Sequence, residues 1–175
     1  VLPGQGEYFD PVFIEMGQEI EEKGYVTDII TNKTLKWLKG TNNQKPFFLM
    51  CQHKAPHREW EPHPKNRSLF EDDIVIPSTF DDDYKNRARA AAEAKMRIKD
   101  DLTYDDLGLA QPEGGSEIGE KSRPLSNKRK IPNPRDVSTL CLIDKHTGEK
   151  FRFNTNEELS HFKYQRYIKR YLRTI

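Results

Sequence analysis

Apolar and polar positions change their spacing several times along the chain, and the changes mark a mixed α/β fold. From Leu2 to Gly24, the breakers Pro3-Gly4, Gly6, Pro11, Gly17 and Gly24 cut the chain into turns and short extended pieces. Val12-Phe13-Ile14 is the predicted strand among them. Val26, Ile29, Ile30, Leu35, Trp37 and Leu38 are then mostly three or four apart, which predicts a helix closed at Gly40 and capped by Thr27 or Asp28. After a polar loop at Thr41 to Lys45, Pro46 opens the aromatic-rich run Phe47 to Gln52, predicted as a buried strand.

That strand ends abruptly in His53-Lys54-Ala55-Pro56-His57-Arg58-Glu59-Trp60-Glu61-Pro62-His63-Pro64. Prolines 56, 62 and 64 forbid a regular helix or a central strand here, so this is an ordered loop at a strand's C-terminal end. Open α/β sheets place their ligands at such ends. Further on, Phe70 to Phe80 is predicted extended, with a strand at Ile74-Val75-Ile76. Asp81 to Asp83 give an acidic N-terminus to a surface helix over Tyr84 to Lys99, and Leu102 to Leu109 adds a turn. Gln111 to Pro134 has the polar composition of a loop or insertion. Thr139 to Ile143 and Lys150 to Phe153 predict a hairpin around Asp144 to Gly148. Thr155 or Asn156 caps a last helix running from Glu157 toward Ile175, with Leu159, Phe162, Tyr167, Ile168, Tyr171 and Leu172 as its apolar face.

Composition narrows the function. Hydrophobic residues are 34% of the 175 and charged residues 33%, so the core is small for the length, and loop or missing core is expected. A net charge of +1 gives no field that argues for nucleic acid or a membrane surface. The longest apolar run, Phe47 to Cys51, is far short of the roughly 20 residues a spanning helix needs. Cys51 and Cys141 rule out a disulfide-rich scaffold, and their apolar neighbours predict buried, inert thiols. The opening Val1-Leu2-Pro3-Gly4 and the unstopped last helix suggest a processed chain or a fragment.

Lys54, His57 and Arg58 together suit an anion, Lys as a point charge and Arg as a bidentate fork, while His57 can deliver a proton near neutral pH. The alternative is a surface loop that happens to carry histidines. His53 and His57, four apart, would share a helix face as zinc ligands do, but Pro56 forbids that helix and no Cys or carboxylate stands at ligand spacing, so no metal residue is assigned. The acidic run at 81–83 lacks the spacing of a calcium loop. In the last helix, Lys163, Arg166, Lys169, Arg170 and Arg173 alternate with Tyr164, Tyr167 and Tyr171. This is read as an amphipathic helix with solvated arginines in preference to a nucleic-acid patch.

The run Pro46 to His57 resembles the central strand and loop of the formylglycine-dependent sulfatases, in which a Pro-Phe-Phe-Leu strand enters a loop ending Ala-Pro-His. Gly24-Tyr25-Val26-Thr27-Asp28 and Lys163-Tyr164-Gln165-Arg166-Tyr167-Ile168 are similar to the family's flanking segments, in the manner of N-acetylglucosamine-6-sulfatases. The resemblance implies an alkaline-phosphatase-like α/β sandwich with a mixed sheet flanked by helices. It implies hydrolysis of sulfate esters on sulfated sugars, with calcium and formylglycine as cofactors and a periplasmic or secreted location. His57 falls on the family histidine that contacts the sulfate and is a candidate proton donor, because an alkoxide leaves poorly unless protonated. Lys54 and Arg58 become candidates for binding sulfate or neighbouring sugar groups, and His53 a structural residue.

The departures are equally specific. The family nucleophile lies in a Cys-x-Pro-Ser-Arg or Cys-x-Ala-Ser-Arg motif, but Cys51 precedes Gln52-His53-Lys54 and Cys141 precedes Leu142-Ile143-Asp144. The family's calcium-binding aspartate pair and its later Asp-Asn or Asp-Gln pair are also not found. The expectation is therefore that residues 1–175 form the middle of one sulfatase catalytic domain, with a polar loop at about 110–135, inactive alone. A sulfated carbohydrate is the expected partner, and neither nucleic acid nor a membrane. The rival is a small anion-binding module for glycan or nucleic acid.

Overall fold

The computed structural model describes residues 6–42, 44–110 and 137–175, and the polar loop expected over 111–134 lies outside them. Strands β1 (Val12–Glu15) and β2 (Gln18–Glu21) form an antiparallel hairpin in which Phe13 faces Ile20. Met16 and Gly17 join them with φ of 52° and 84°, and this left-handed pair matches the twist of the strands it connects. Helix α1 (Val26–Gly40) follows where the three-to-four spacing put it. Its cap differs from the expectation: Tyr25 is the capping residue and no side chain caps it. Instead, the Val26 N–H donates to Tyr8 O at 2.8 Å, which satisfies one of the helix's orphan donors.

The run at 47–52 forms no strand, and Phe48 is 83% exposed. A buried strand needs neighbours on its edges and faces, and among the described residues no strand lies beside this one. Cys51 is consequently exposed, against the expected burial, and Cys141 is partly exposed; both are free thiols. Ile74-Val75-Ile76 likewise forms no strand.

The long helix expected over 84–99 shrinks to α2 (Arg89–Glu93). The Asp82 and Asp83 carboxylates each accept the N–H two residues on, from Tyr84 and Lys85, both at 2.9 Å. These side-chain turns compete with helix, and Tyr84 and Asn86 sit at φ of 60° and 59°, which no right-handed helix contains. Leu102 to Leu109 is a turn that leads into β3 (Leu109–Ala110). The predicted hairpin forms as β4 (Cys141–Asp144) and β5 (Lys150–Arg152), and β3 adds to it in the antiparallel order β3-β4-β5. The single mixed sheet of the expectation is therefore not made by the described residues, which form two small antiparallel sheets.

Helix α3 (Asn156–Thr174) starts at Thr155, whose hydroxyl accepts the Glu158 N–H at 3.1 Å. The Glu158 carboxylate returns to the Asn154 N–H at 2.7 Å. Two apolar clusters result. One gathers Tyr8, Phe13, Tyr25 and Val26, with Ala55 against it. The larger gathers Trp60, Leu102, Tyr104, Leu107, Leu109, Leu142, Phe153 and Leu159. Full burial of Leu107, Leu142 and Leu159 contributes about 1.5–3 kcal/mol each. The loop at 53–63 gives Ala55 to the first cluster and Trp60 to the second, and so bridges them.

Candidate functional site

The loop holds its shape through bonds from both clusters. Within it, the His57 N–H donates to Lys54 O at 2.9 Å and the Trp60 indole N–H to Pro56 O at 2.8 Å. From the first cluster the Tyr8 hydroxyl donates to His57 O at 2.7 Å, and the Tyr25 hydroxyl to Glu61 O at 3.0 Å. From α3 the buried Arg170 guanidinium donates to Trp60 O. Burial pushes the Tyr8 phenol up from its ordinary value, with the neighbouring Tyr25 adding to it, so the hydroxyl stays a donor at neutral pH.

On this frame His57 is exposed, and its Nδ1 lies against the Arg58 carbonyl oxygen. A carbonyl only accepts, so Nδ1 carries the hydrogen and Nε2 is the nitrogen left to meet a ligand. Arg58 is about half exposed, and its Nη1 lies 3.8 Å from Asp106 Oδ2. Lys54 is partly buried with Nζ 4.7 Å from the centre of the Tyr8 ring; burial lowers its pKa, and Glu7 and Glu61 oppose the shift. The three predicted residues thus share one pinned turn, joined through backbone carbonyls, while their side chains meet different neighbours.

The remaining histidines of the loop are not brought to that point. His53 is exposed, 3.7 Å from Cys51 Sγ, which also accepts from the Thr34 hydroxyl at 3.2 Å. His63 pairs with Asp28 at 3.2 Å and packs edge-on against Tyr25 at 4.8 Å, a structural role. Among the described residues no group of three or more His, Cys, Asp or Glu side chains is placed to hold a metal ion. The donors among the described residues are therefore not gathered around a calcium site. Sequence reasoning missed the loop's anchors, Tyr8, Tyr25, Arg170 and Asp106. Tyrosines near a predicted turn were the one available hint.

The helix read as carrying solvated arginines is the clearest correction. Lys163 donates to Lys99 O, Arg166 to Leu107 O, Lys169 to Glu71 O, Arg170 to Trp60 O and Arg173 to Leu69 O. All five basic residues of the supposed patch bind main-chain carbonyls of irregular segments, where backbone oxygens have no ladder to join. No helix among the described residues is long and apolar enough to cross a membrane.

No family model matches the sequence. Similar proteins are nevertheless clear. The chain is 36% identical over 174 residues to an N-acetylglucosamine-6-O-sulfatase of Bacteroides thetaiotaomicron, covering 98% of this chain and 31% of that protein. N-acetylglucosamine-6-sulfatases of Bos taurus and Homo sapiens are 36% identical over 47 residues, 27% of this chain. A solved structure of a protein in complex with its substrate D-glucosamine-2-N,6-O-disulfate superposes with a TM-score of 0.69 at 33% identity. It covers 97% of this chain and 35% of its own. The chain thus spans about a third of the relatives it matches along its length, and over that span it is similar to N-acetylglucosamine-6-sulfatases.

Proposed function

We propose that this chain is part of a sulfatase catalytic domain, an alkaline-phosphatase-like sandwich that hydrolyses sulfate esters of sulfated sugars, 6-sulfated glucosamine in particular. The observation that carries the reading is 36% identity along 98% of the chain to an N-acetylglucosamine-6-O-sulfatase. The pinned turn supports it: an exposed histidine whose Nδ1 is turned to the Arg58 carbonyl has Nε2 facing outward for an ester oxygen. In this reading His57 carries a hydrogen on Nε2 as well as on Nδ1 and donates it to the ester oxygen. It gives up that proton to the departing sugar alkoxide, which leaves as the alcohol. Arg58 and Lys54 meet sulfate oxygens or adjacent sugar groups, and Lys54 leaves the Tyr8 ring to do so. Calcium and a formylglycine nucleophile belong to the family chemistry, and residues beyond those of this chain would supply them. A periplasmic or secreted location goes with the reading.

The rival, an anion-binding module, loses its main support because the basic residues of α3 are occupied by carbonyls. The test is hydrolysis of D-glucosamine 6-sulfate by the full-length protein, beside its His57→Ala variant and the 175 residues alone. The full-length protein should release sulfate, His57→Ala should lower the rate by roughly 10²–10⁴-fold, and the isolated chain should be inactive. An inactive full-length protein that binds heparin with a steep salt dependence would favour the binding module instead.

A further inference from the structure

Beneath the exposed turn lies a carboxylate that the proposed chemistry does not use. Asp106 is buried, its side chain 1% exposed. Its Oδ2 accepts from the Thr103 N–H at 2.9 Å and the Thr103 hydroxyl at 2.8 Å. The Asp106 N–H returns to that hydroxyl at 3.2 Å, so the carboxylate is fixed in one orientation. Its other oxygen, Oδ1, is buried with no hydrogen-bond partner among the described residues. A buried carboxylate oxygen is costly to leave bare, and such atoms in a folded protein call for an explanation. The cation paired with this group is Arg58, whose Nη1 stands 3.8 Å from Oδ2: near enough to be attracted, too far for a hydrogen bond.

We propose that Asp106 is a positioning residue for Arg58, holding the guanidinium from behind so that its outward N–H groups meet the sulfate of the substrate. The proposal rests on the sulfatase reading of the turn and adds a group to it. The fork geometry makes the arrangement workable. Arg has five N–H donors in a rigid plane, so one edge can bind a carboxylate while the rest face an oxyanion. Half exposure of Arg58 over a fully buried Asp106 is the layout such a relay requires. When sulfate draws the guanidinium into place, the 3.8 Å separation between Nη1 and Oδ2 closes to a hydrogen bond on the oxygen that Thr103 already orients. The interaction is made with the ground-state sulfate as well as with the transition state, so its loss falls mainly on KM.

The test is steady-state hydrolysis of D-glucosamine 6-sulfate by the full-length enzyme and three variants, Asp106→Asn, Arg58→Ala and the double variant. Asp106→Asn and Arg58→Ala should each raise KM about tenfold with kcat within about twofold, and the double variant should be no worse than Arg58→Ala. Additive losses, or an unchanged KM in a folded Asp106→Asn protein, would overturn the role. Arg58→Ala also decides the matter if Asp106→Asn fails to fold. Added guanidinium ion should lower its KM again by entering the slot beside Asp106, and absence of rescue counts against the proposal. A wild-type enzyme that leaves the sugar sulfate intact overturns the sulfatase reading itself.

Discussion

Gln165 binds Ile74 twice, its side-chain amide oxygen accepting the Ile74 N–H at 2.9 Å and its amide nitrogen donating to Ile74 O at 2.7 Å. One side chain thereby does what a neighbouring strand would do for that residue. Beside it, the Tyr164 hydroxyl donates to Val75 O at 3.0 Å. Helix α3 repeats this along its length, binding Leu69, Glu71, Lys99 and Leu107 through their carbonyls. The irregular chain around Ile74 and Val75 is held in place without belonging to a sheet.

Removal of that amide should therefore cost more than its apolar area. Gln165→Ala leaves the N–H and C=O of Ile74 without their partner, a loss of about 1–3 kcal/mol. Urea denaturation should show it, and hydrogen exchange at the Ile74 amide should quicken while that of the β4–β5 amides falls only by the global loss. An unchanged exchange rate at Ile74 would mean that the segment is held by other means.

Gly108 tests the same helix from the other side. It sits at φ +60°, and a Cβ built there would meet the Arg170 guanidinium at 2.7 Å. Arg170 is buried and bound to Trp60 O, so it has little room to retreat. Gly108→Ala should cost about 2 kcal/mol or more, from left-handed strain plus displacement. The displaced guanidinium should loosen the turn, and the emission of Trp60 should shift to the red. Retention of both stability and emission would show that Arg170 is not needed to pin the loop.

The elements legible in the sequence were those whose period is set locally. Val26 to Gly40, the hairpin around Asp144 and the helix capped by Thr155 all satisfy their own backbone bonds. What sequence could not show was burial that depends on distant partners. Phe47 to Met50 has the composition of a core strand, yet composition does not supply the strands beside it. Asp82 and Asp83 belong to a helix start by charge, but their side chains close turns first. The turn carrying His57 was legible as a motif on a stiff backbone. Its anchors were not, because Tyr8 and Arg170 lie 49 and 110 positions from the residues they hold.

Asp144 makes acid stability depend on one carboxylate. Burial raises its pKa, but the N–H groups of Thr147 and His146 and the Arg166 guanidinium at 2.5 Å outweigh that and bring it down to about 2. A folded-state pKa depressed below the ordinary 3.8 contributes stability that is full above about pH 4 and is lost as pH falls through about 2. The contribution is roughly 2 kcal/mol. Asp144→Asn should lower stability by about that amount at pH 6 and flatten its decline between about pH 4 and 2, as followed by urea midpoints. A variant with the wild-type acid limb would place the titration elsewhere.

Lys163 predicts the opposite trend in alkali. Its side chain is 1% exposed, and burial lowers its pKa from 10.5 to about 8, with Lys99 adding to the effect and Asp100 opposing it. Between those values the unfolded chain binds the proton that the folded chain has released, so stability rises with pH through the window. Above about pH 10 the sign reverses, because burial raises the pKa of Tyr8, Tyr25 and Tyr167, and the unfolded chain then loses protons first. The gain up to that point is roughly 2–3 kcal/mol, and the stability maximum should lie near pH 10. Lys163→Met removes the titration, keeps a long apolar stem in the same space and leaves Lys99 O without the 2.8 Å bond it now accepts. Urea midpoints of this variant should be flat from about pH 8 to 10 where those of the wild type climb, and a variant that climbs equally would assign the alkaline rise to other groups.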